Sequence, residues 1–162
     1  MNPRYLKTDT PLGTMWLAAR GDSLIGAWFE GQKYFPAIER PIWSDAEDPV
    51  LGRAAAQLKE YFAGERRDFD LPFAPEGSGH QRAVWAAIAR VPYGETLSYG
   101  TVAQSLGRPT AARAVGAATG RNPISVFIPC HRLVAGSGAL TGYAGGLPRK
   151  VALLRLEGRP VD

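Results

Sequence analysis

Cys130, the only cysteine of this 162-residue chain, is followed directly by His131 and Arg132. The thiolate is the reactive form of cysteine, and neighbouring cations lower a thiol's pKa and raise its thiolate fraction. The surroundings are basic: no carboxylate lies between Glu95 and Glu157, while Arg108, Arg113, Arg121, Arg132, Arg149, Lys150 and Arg155 all fall there. The pattern points to a nucleophilic thiol with His131 as its base and Glu157, the nearest downstream carboxylate, to orient it. A lone cysteine also serves as a small buried hydrophobe, and a histidine as a core imidazole, so the tripeptide alone leaves both readings open. A single cysteine excludes an internal disulfide framework and a cysteine-rich zinc site.

The elements that must position these groups follow from pattern. Ser125 to Ile128 reads as a buried strand ending at Pro129, with Cys130 at its end. Ser98 opens a short helix through Val102, Ala103 and Leu106 that Gly107 closes. Arg108-Pro109 turns the chain, and Thr110 is placed to cap a second helix running to about Gly120. Two short helices with a tight Gly-containing turn describe a helix-turn-helix. The second helix is built almost wholly of Ala and Gly, with Arg113 as its one long cation, and it lacks the Asn and Gln that read base edges. Such a helix suits a narrow groove, with Arg113 as a wedge, or tight packing on its own domain. Ser78 and Gln81 form a capping box for a further helix ended by Pro92. A Gly-rich loop, Gly136 to Gly146 with Tyr143 inside it, precedes a closing helix begun by Pro148.

The first half differs. Thr14–Ala19 and Leu24–Phe29 form a hairpin pattern around Gly21-Asp22-Ser23. Asp48, Pro49 and Gly64 bound a helix whose stripe is Leu51, Ala54, Ala55, Leu58, Tyr61 and Phe62. The Pro- and Gly-containing stretch Asp68–Gly79 sets the expected domain boundary, giving 1–78 and 79–162. Residues 1–78 carry a net charge of −3 and residues 79–162 a net charge of +7. A basic half of that kind is either a solvated face or a surface for a polyanion such as DNA. No apolar run approaches the roughly 20 residues of a membrane span, and the N-terminus lacks a signal-peptide pattern, so a cytoplasmic location is expected.

Together these residues carry a family resemblance. Ile128-Pro129-Cys130-His131-Arg132-Leu133-Val134 resembles the active-site motif of the O6-alkylguanine-DNA alkyltransferases. Pro92-Tyr93-Gly94-Glu95-Thr96-Leu97-Ser98-Tyr99, Ala111-Ala112-Arg113-Ala114-Val115-Gly116, Asn122-Pro123 and Gly142-Tyr143-Ala144-Gly145-Gly146 match it in the same order. The likeness covers roughly residues 79 to 158. It implies an α+β fold: a small ribonuclease-H-like sheet-and-helix domain, then a mostly helical domain with a helix-turn-helix of winged-helix type.

It also implies direct reversal of DNA alkylation. The thiol takes the alkyl group from O6 of guanine, or less readily O4 of thymine, in double-stranded DNA, into a permanent thioether without turnover. By the resemblance Cys130 is the nucleophile and His131 its base through a water, with Glu157 orienting that histidine. Asn122 braces the turn before the active-site segment, and Tyr99 presses a phosphate and donates to the base. Arg113 fills the stack, and Thr110, Ala111, Ala112, Ala114, Gly116 and Arg132 join it on DNA. Tyr143, Ala144, Gly145, Gly146 and Val134 line the pocket; Ala144 stands where some members carry Ser. No cofactor or metal is implied, and a monomer, with cooperation along DNA open, is expected. Two rivals remain from the residues themselves: a helix-turn-helix protein that only binds DNA, disfavoured by Cys130, and a thiol hydrolase, which leaves the small-residue helix unexplained.

Overall fold

The computed structural model describes residues 1–161. Its α+β fold begins with a four-stranded sheet in the order β3-β2-β1-β4, where β1 is Arg4–Thr10, β2 Gly13–Arg20, β3 Ser23–Phe29 and β4 Ile42–Trp43. The first three strands are an antiparallel meander, and β4 runs parallel to β1. The expected hairpin is β2–β3. Strand β1 was not read from pattern, because Lys7, Thr8, Asp9 and Thr10 give it little apolar signal.

Helix α1, Leu51–Phe62, lies on one face of this sheet and buries Leu51, Ala54, Leu58 and Tyr61. Asp48 caps it: its Oδ1 accepts from the backbone N–H of Val50 at 2.9 Å and of Leu51 at 3.0 Å. The other oxygen takes Arg4 Nε of β1 at 2.6 Å, so one carboxylate ties the sheet to the helix start. Gly64, at φ +77°, ends α1 in the left-handed conformation that glycine adopts without steric cost.

The second half holds α2 (Gly79–Ala89), α3 (Tyr99–Ser105), α4 (Ala112–Gly120) and α5 (Leu147–Leu156). The Ser78–Gln81 capping box of α2 is formed. Ser98 caps α3, and Gly107 at φ +73° turns the chain toward α4. Thr110 does not cap α4: Ala111 occupies that position without a side-chain bond. The N–H of Ala111 is satisfied instead by the carbonyl of Arg108 at 2.9 Å, which closes the turn one residue later than expected. A short parallel pair, β5 (Leu97–Ser98) with β6 (Leu133–Val134), ties the start of α3 to the segment after Cys130.

The segment Ser125–Ile128 is buried but is a tight turn, not a strand. Val126 stands at φ +75°, and the N–H of Ile128 reaches the carbonyl of Ile124 at 2.9 Å. That turn is bonded to the free edge of β3, where Ala27 N–H donates to Pro123 O at 2.8 Å and Ser125 N–H to Ala27 O at 2.9 Å. The two halves share one apolar core in which Phe127 meets Phe69 and Phe73. The sheet therefore acts as a rigid backing for the segment that carries Cys130.

Candidate active site

Cys130 is buried at the start of a single 3-10 turn, Cys130–Arg132, on the floor of a cleft of about 780 Å³. Four segments wall the cleft: the loop after β3 through Lys33 and Tyr34, the start of α3 through Tyr99, one face of α4 through Arg113, Gly116 and Ala117, and the Gly-rich loop through Tyr143. Small residues on α4 make the wall. Their absence of bulk leaves space where Leu or Ile would have filled it, and the opposite side of the helix, Val115 and Ala118, is buried. Trp85 of α2 donates to the Ala118 carbonyl at 2.8 Å and fixes the helix in place.

Asn122 organises the approach to the thiol. Its Nδ2 donates to Ile128 O at 2.8 Å, and its Oδ1 accepts from Ile124 N–H at 3.0 Å. A β-branched residue in the left-handed region is a costly conformation, and these two bonds span the turn that contains Val126. The Asn122 amide thus does for this turn what a strand ladder would do for an extended segment.

Beyond the thiol lies a buried charge cluster. His131 Nε2 is 2.8 Å from Glu157 Oε2, and His131 and the Glu157 side chain are fully buried. Arg132 grips the same carboxylate with both forks, Nε to Oε1 at 2.9 Å and Nη2 to Oε2 at 2.8 Å, and donates from Nη1 to Val91 O at 2.6 Å. Tyr61 of α1 adds its hydroxyl to Glu157 Oε2 at 2.6 Å. Burial opposes ionisation of Glu157, but the bonds from His131 and Arg132 outweigh it and hold its pKa at about 2. Burial pushes the His131 imidazolium pKa down against the pull of Glu157, so the ring is neutral at pH 7. With Nε2 engaged by a carboxylate, the proton sits on Nε2 and Nδ1 is the basic nitrogen. That Nδ1 is buried and meets no hydrogen-bond partner.

The thiol departs from expectation. Burial pushes the Cys130 pKa up, and this exceeds the opposing help from Asn122 and Lys150. The Arg132 guanidinium is spent on Glu157. Cys130 therefore rests as the neutral thiol.

Other expected site residues divide clearly. Tyr99, Ala112, Arg113, Gly116, Tyr143 and Ala144 line the cleft, and Arg113 is exposed on the first turn of α4. Tyr99 accepts from Thr141 Oγ1 at 3.0 Å. The hydroxyl of Tyr143 is buried beside Cys130 and Ser125 without completing a hydrogen bond. Thr110 and Ala114 are exposed and Ala111 is half-buried beside the cleft. Arg132 cannot be a DNA contact: only 6% of it is exposed and its donors are used internally. Val134, Gly145 and Gly146 do not line the cleft; their neighbours Ala135 and Ala144 do, because Val134 pairs with Ser98 and Gly145 lies under the Tyr143 ring.

Lys150 is a buried neighbour of the thiol that sequence reasoning missed. It is fully buried in α5, donating to Leu133 O at 2.6 Å and Thr141 O at 3.2 Å, and burial lowers its pKa to about 8. Its signal was present, since Lys150, Leu153, Leu154 and Glu157 fall on one helical stripe. Among the described residues no three His, Cys, Asp or Glu side chains gather as a metal-ligating group, and no helix is long and apolar enough to cross a membrane.

Comparison with known proteins decides the family. Residues 79–159 match the 6-O-methylguanine DNA methyltransferase DNA binding domain, and residues 4–75 match the ribonuclease-like domain of the same proteins. This chain belongs to the 6-O-methylguanine DNA methyltransferase family. It is 47% identical over 155 residues to a methylated-DNA--protein-cysteine methyltransferase of Mycolicibacterium paratuberculosis, covering 96% of this chain and 92% of that one. A protein of the same description from Methanosarcina acetivorans is 45% identical, with 95% and 97% covered. A crystal structure of the Mycobacterium tuberculosis O6-methylguanine methyltransferase superposes with a TM-score of 0.89 at 43% identity, covering 99% of this chain and 97% of that one. The M. tuberculosis OGT in complex with DNA gives 0.90 at 43% identity, with 96% and 93% covered. The family's members thus span nearly the whole chain, sheet and helical half alike.

Proposed function

We propose that this protein is a direct-reversal DNA repair methyltransferase that moves the alkyl group of O6-alkylguanine, and less readily of O4-alkylthymine, in double-stranded DNA onto its own Cys130. The observation that carries the reading is a buried thiol on the floor of a cleft walled by a small-residue helix, with a neutral histidine held by a carboxylate next to it. A lesion inside a duplex reaches such a floor only when its nucleotide is rotated out, at a cost of a few kcal/mol. The exposed strip of α4, too small-sided to read base edges, suits a minor groove entered without regard to sequence. Arg113 at its start takes the place of the everted base, and phosphate contacts supply affinity.

The chemistry balances without a cofactor. His131, through Nδ1 and a bridging water, takes the Cys130 proton as sulfur attacks the alkyl carbon, and Glu157 stabilises the imidazolium that forms. The carbon–O6 bond breaks, the electron pair goes to the purine, and the base is released neutral after Tyr99 donates its proton. The proton taken up by His131 leaves through water and Tyr99 is reprotonated from water, so no net charge remains. A thioether remains on Cys130. A thiolate suits a soft alkyl carbon better than an oxygen nucleophile. Residues 1–78 act as scaffold and residues 79–162 as the DNA-binding and transfer domain, in a cytoplasmic monomer.

Peptide mass analysis after mixing the protein with a duplex carrying one O6-methylguanine tests this reading. One methyl on the Cys130 peptide, saturating at one per chain, is expected. An unmodified Cys130 in a protein that still binds the duplex would leave a damage sensor in place of a transferase.

A further inference from the structure

The mouth of the cleft carries two side chains that the transfer chemistry leaves unused, and a third, Arg121, lies against one of them. Lys33 and Tyr34, from the loop after β3, reach across from the sheet to form part of the rim. Tyr34 stands at φ +63°, the left-handed region that residues with a Cβ avoid. The surrounding loop holds it there. Lys33 N–H donates to Ala144 O at 3.1 Å, and Phe35 N–H donates to Gln32 O at 3.1 Å. Beyond it, the Phe35 ring packs edge-on against Trp16 at 5.4 Å and against Trp28 at 6.3 Å.

The effect of this bend is to put the Tyr34 ring against Arg121, the residue that ends α4. The Arg121 guanidinium carbon lies 3.7 Å from the ring centroid, and Lys33 Nζ lies 5.1 Å from the same centroid. Among the described residues neither cation has a carboxylate within ion-pair distance. A guanidinium carbon held over a ring leaves N–H donors for other partners, and a guanidinium pairs with phosphate in bidentate fashion. Two cations sharing one ring repel each other, and an anion between or beside them removes the repulsion. A strained backbone that brings them together points to a ligand and not to stability.

We propose that Arg121, positioned by the Tyr34 ring, and Lys33 clamp a backbone phosphate of the strand whose nucleotide enters the cleft. The inference rests on the acceptor reading: once a base lies in the cleft, its own phosphodiester lies at the mouth, where these groups stand. The sheet domain, acidic as a whole, then grips DNA directly through Lys33 while Tyr34 sets the orientation of Arg121.

The test measures affinity of the Cys130→Ala protein for a duplex carrying O6-methylguanine as salt is raised. Arg121→Gln should shrink the slope of log affinity against log salt by about 0.9, and Lys33→Gln by about the same, because each phosphate contact contributes roughly that much. Tyr34→Gly keeps the left-handed backbone but removes the ring; it should weaken duplex binding, and Tyr34→Phe should restore it. In the Cys130 protein, Arg121→Gln and Lys33→Gln should slow transfer from duplex DNA without slowing reaction with free O6-benzylguanine. Unchanged salt slopes would overturn the clamp. Equal slowing with the free base would overturn it too, placing these residues in the pocket wall. A wild-type protein that gains no methyl from the duplex refutes the acceptor reading instead, and the salt slopes still decide whether the clamp binds DNA.

Discussion

Replacing Glu157 by Gln keeps the size of the side chain and removes the charge on which the buried cluster depends. Arg132, with 6% of its surface exposed, would then hold a positive charge with no counter-charge in reach. Removing one partner of a buried ion pair costs about 3–5 kcal/mol. The pKa gives a second route to the same number: a carboxyl held at about 2 against an ordinary 4.5 corresponds to about 3 kcal/mol of stabilisation. For a chain of this size each kcal/mol moves the thermal midpoint by about 2–4 °C, so a fall of about 10 °C is expected by circular dichroism at pH 7. The sign with pH follows from the lowered folded pKa. Wild-type stability from this group is complete above pH 4.5 and drains away as pH falls toward 2, and the Gln protein should lack that limb. Replacing both partners, Glu157→Leu with Arg132→Met, removes the orphaned charge but leaves the Tyr61 hydroxyl, His131 Nε2 and the Val91 carbonyl unpaired, so it should recover only part of the loss. A midpoint shift under about 2 °C for Glu157→Gln would refute the reasoning, as would a double variant less stable than either single one.

The other expectations concern individual side chains. Cys130→Ala should abolish alkyl transfer and leave duplex binding intact in a gel-shift assay; loss of both would mean that the thiol supports the fold. Arg113→Ala should slow repair of duplex DNA far more than reaction with free O6-benzylguanine, and equal slowing would move Arg113 from the base stack to the pocket or the fold. Asn122→Ala removes two buried hydrogen bonds across the Val126 turn and should destabilise by about 2–4 kcal/mol in urea unfolding, with a result under about 1 kcal/mol contradicting the bracing role. Because burial raises the Cys130 pKa above its ordinary 9.0, its rate of reaction with iodoacetamide should still be climbing at pH 9, and a plateau reached below that pH would show a stabilised thiolate.

What could be read from the chain beforehand was mostly local. The Ser78–Gln81 capping box, the Ser98 cap, Gly107 and the α1 stripe each need only a few neighbouring residues, so propensity and spacing were sufficient. Strands β4, β5 and β6, of two residues each, exist only because a distant segment offers hydrogen bonds, and nothing in their own letters marks them. Ser125–Ile128 shows the same limit more sharply. A run of apolar residues says that a segment is buried but not whether it is extended. Here the deciding group is Asn122, whose side chain supplies the bonds that let Val126 turn. The pairing of His131 with Glu157 was legible because no other carboxylate lies between Glu95 and Glu157. That Arg132 belongs to the same carboxylate was not, since an arginine in a basic stretch looks alike whether it faces DNA or the core.

The buried thiol gives that last difference a chemical meaning. Had Arg132 faced Cys130, its charge would have raised the thiolate fraction, and with it the exposure to any small electrophile or oxidant that entered the cleft. A protein that reacts once and keeps the product loses its whole function to one such event. In the arrangement found, Arg132 and Tyr61 saturate Glu157, Glu157 fixes His131 Nε2, and the ring nitrogen left without a partner is the neutral Nδ1. Proton removal then has to be coupled to the attack itself, with an alkyl carbon already in place. Selectivity for a bound lesion over free reagents follows from a base that is weak at rest and a carboxylate that strengthens it only when charge develops on the imidazole.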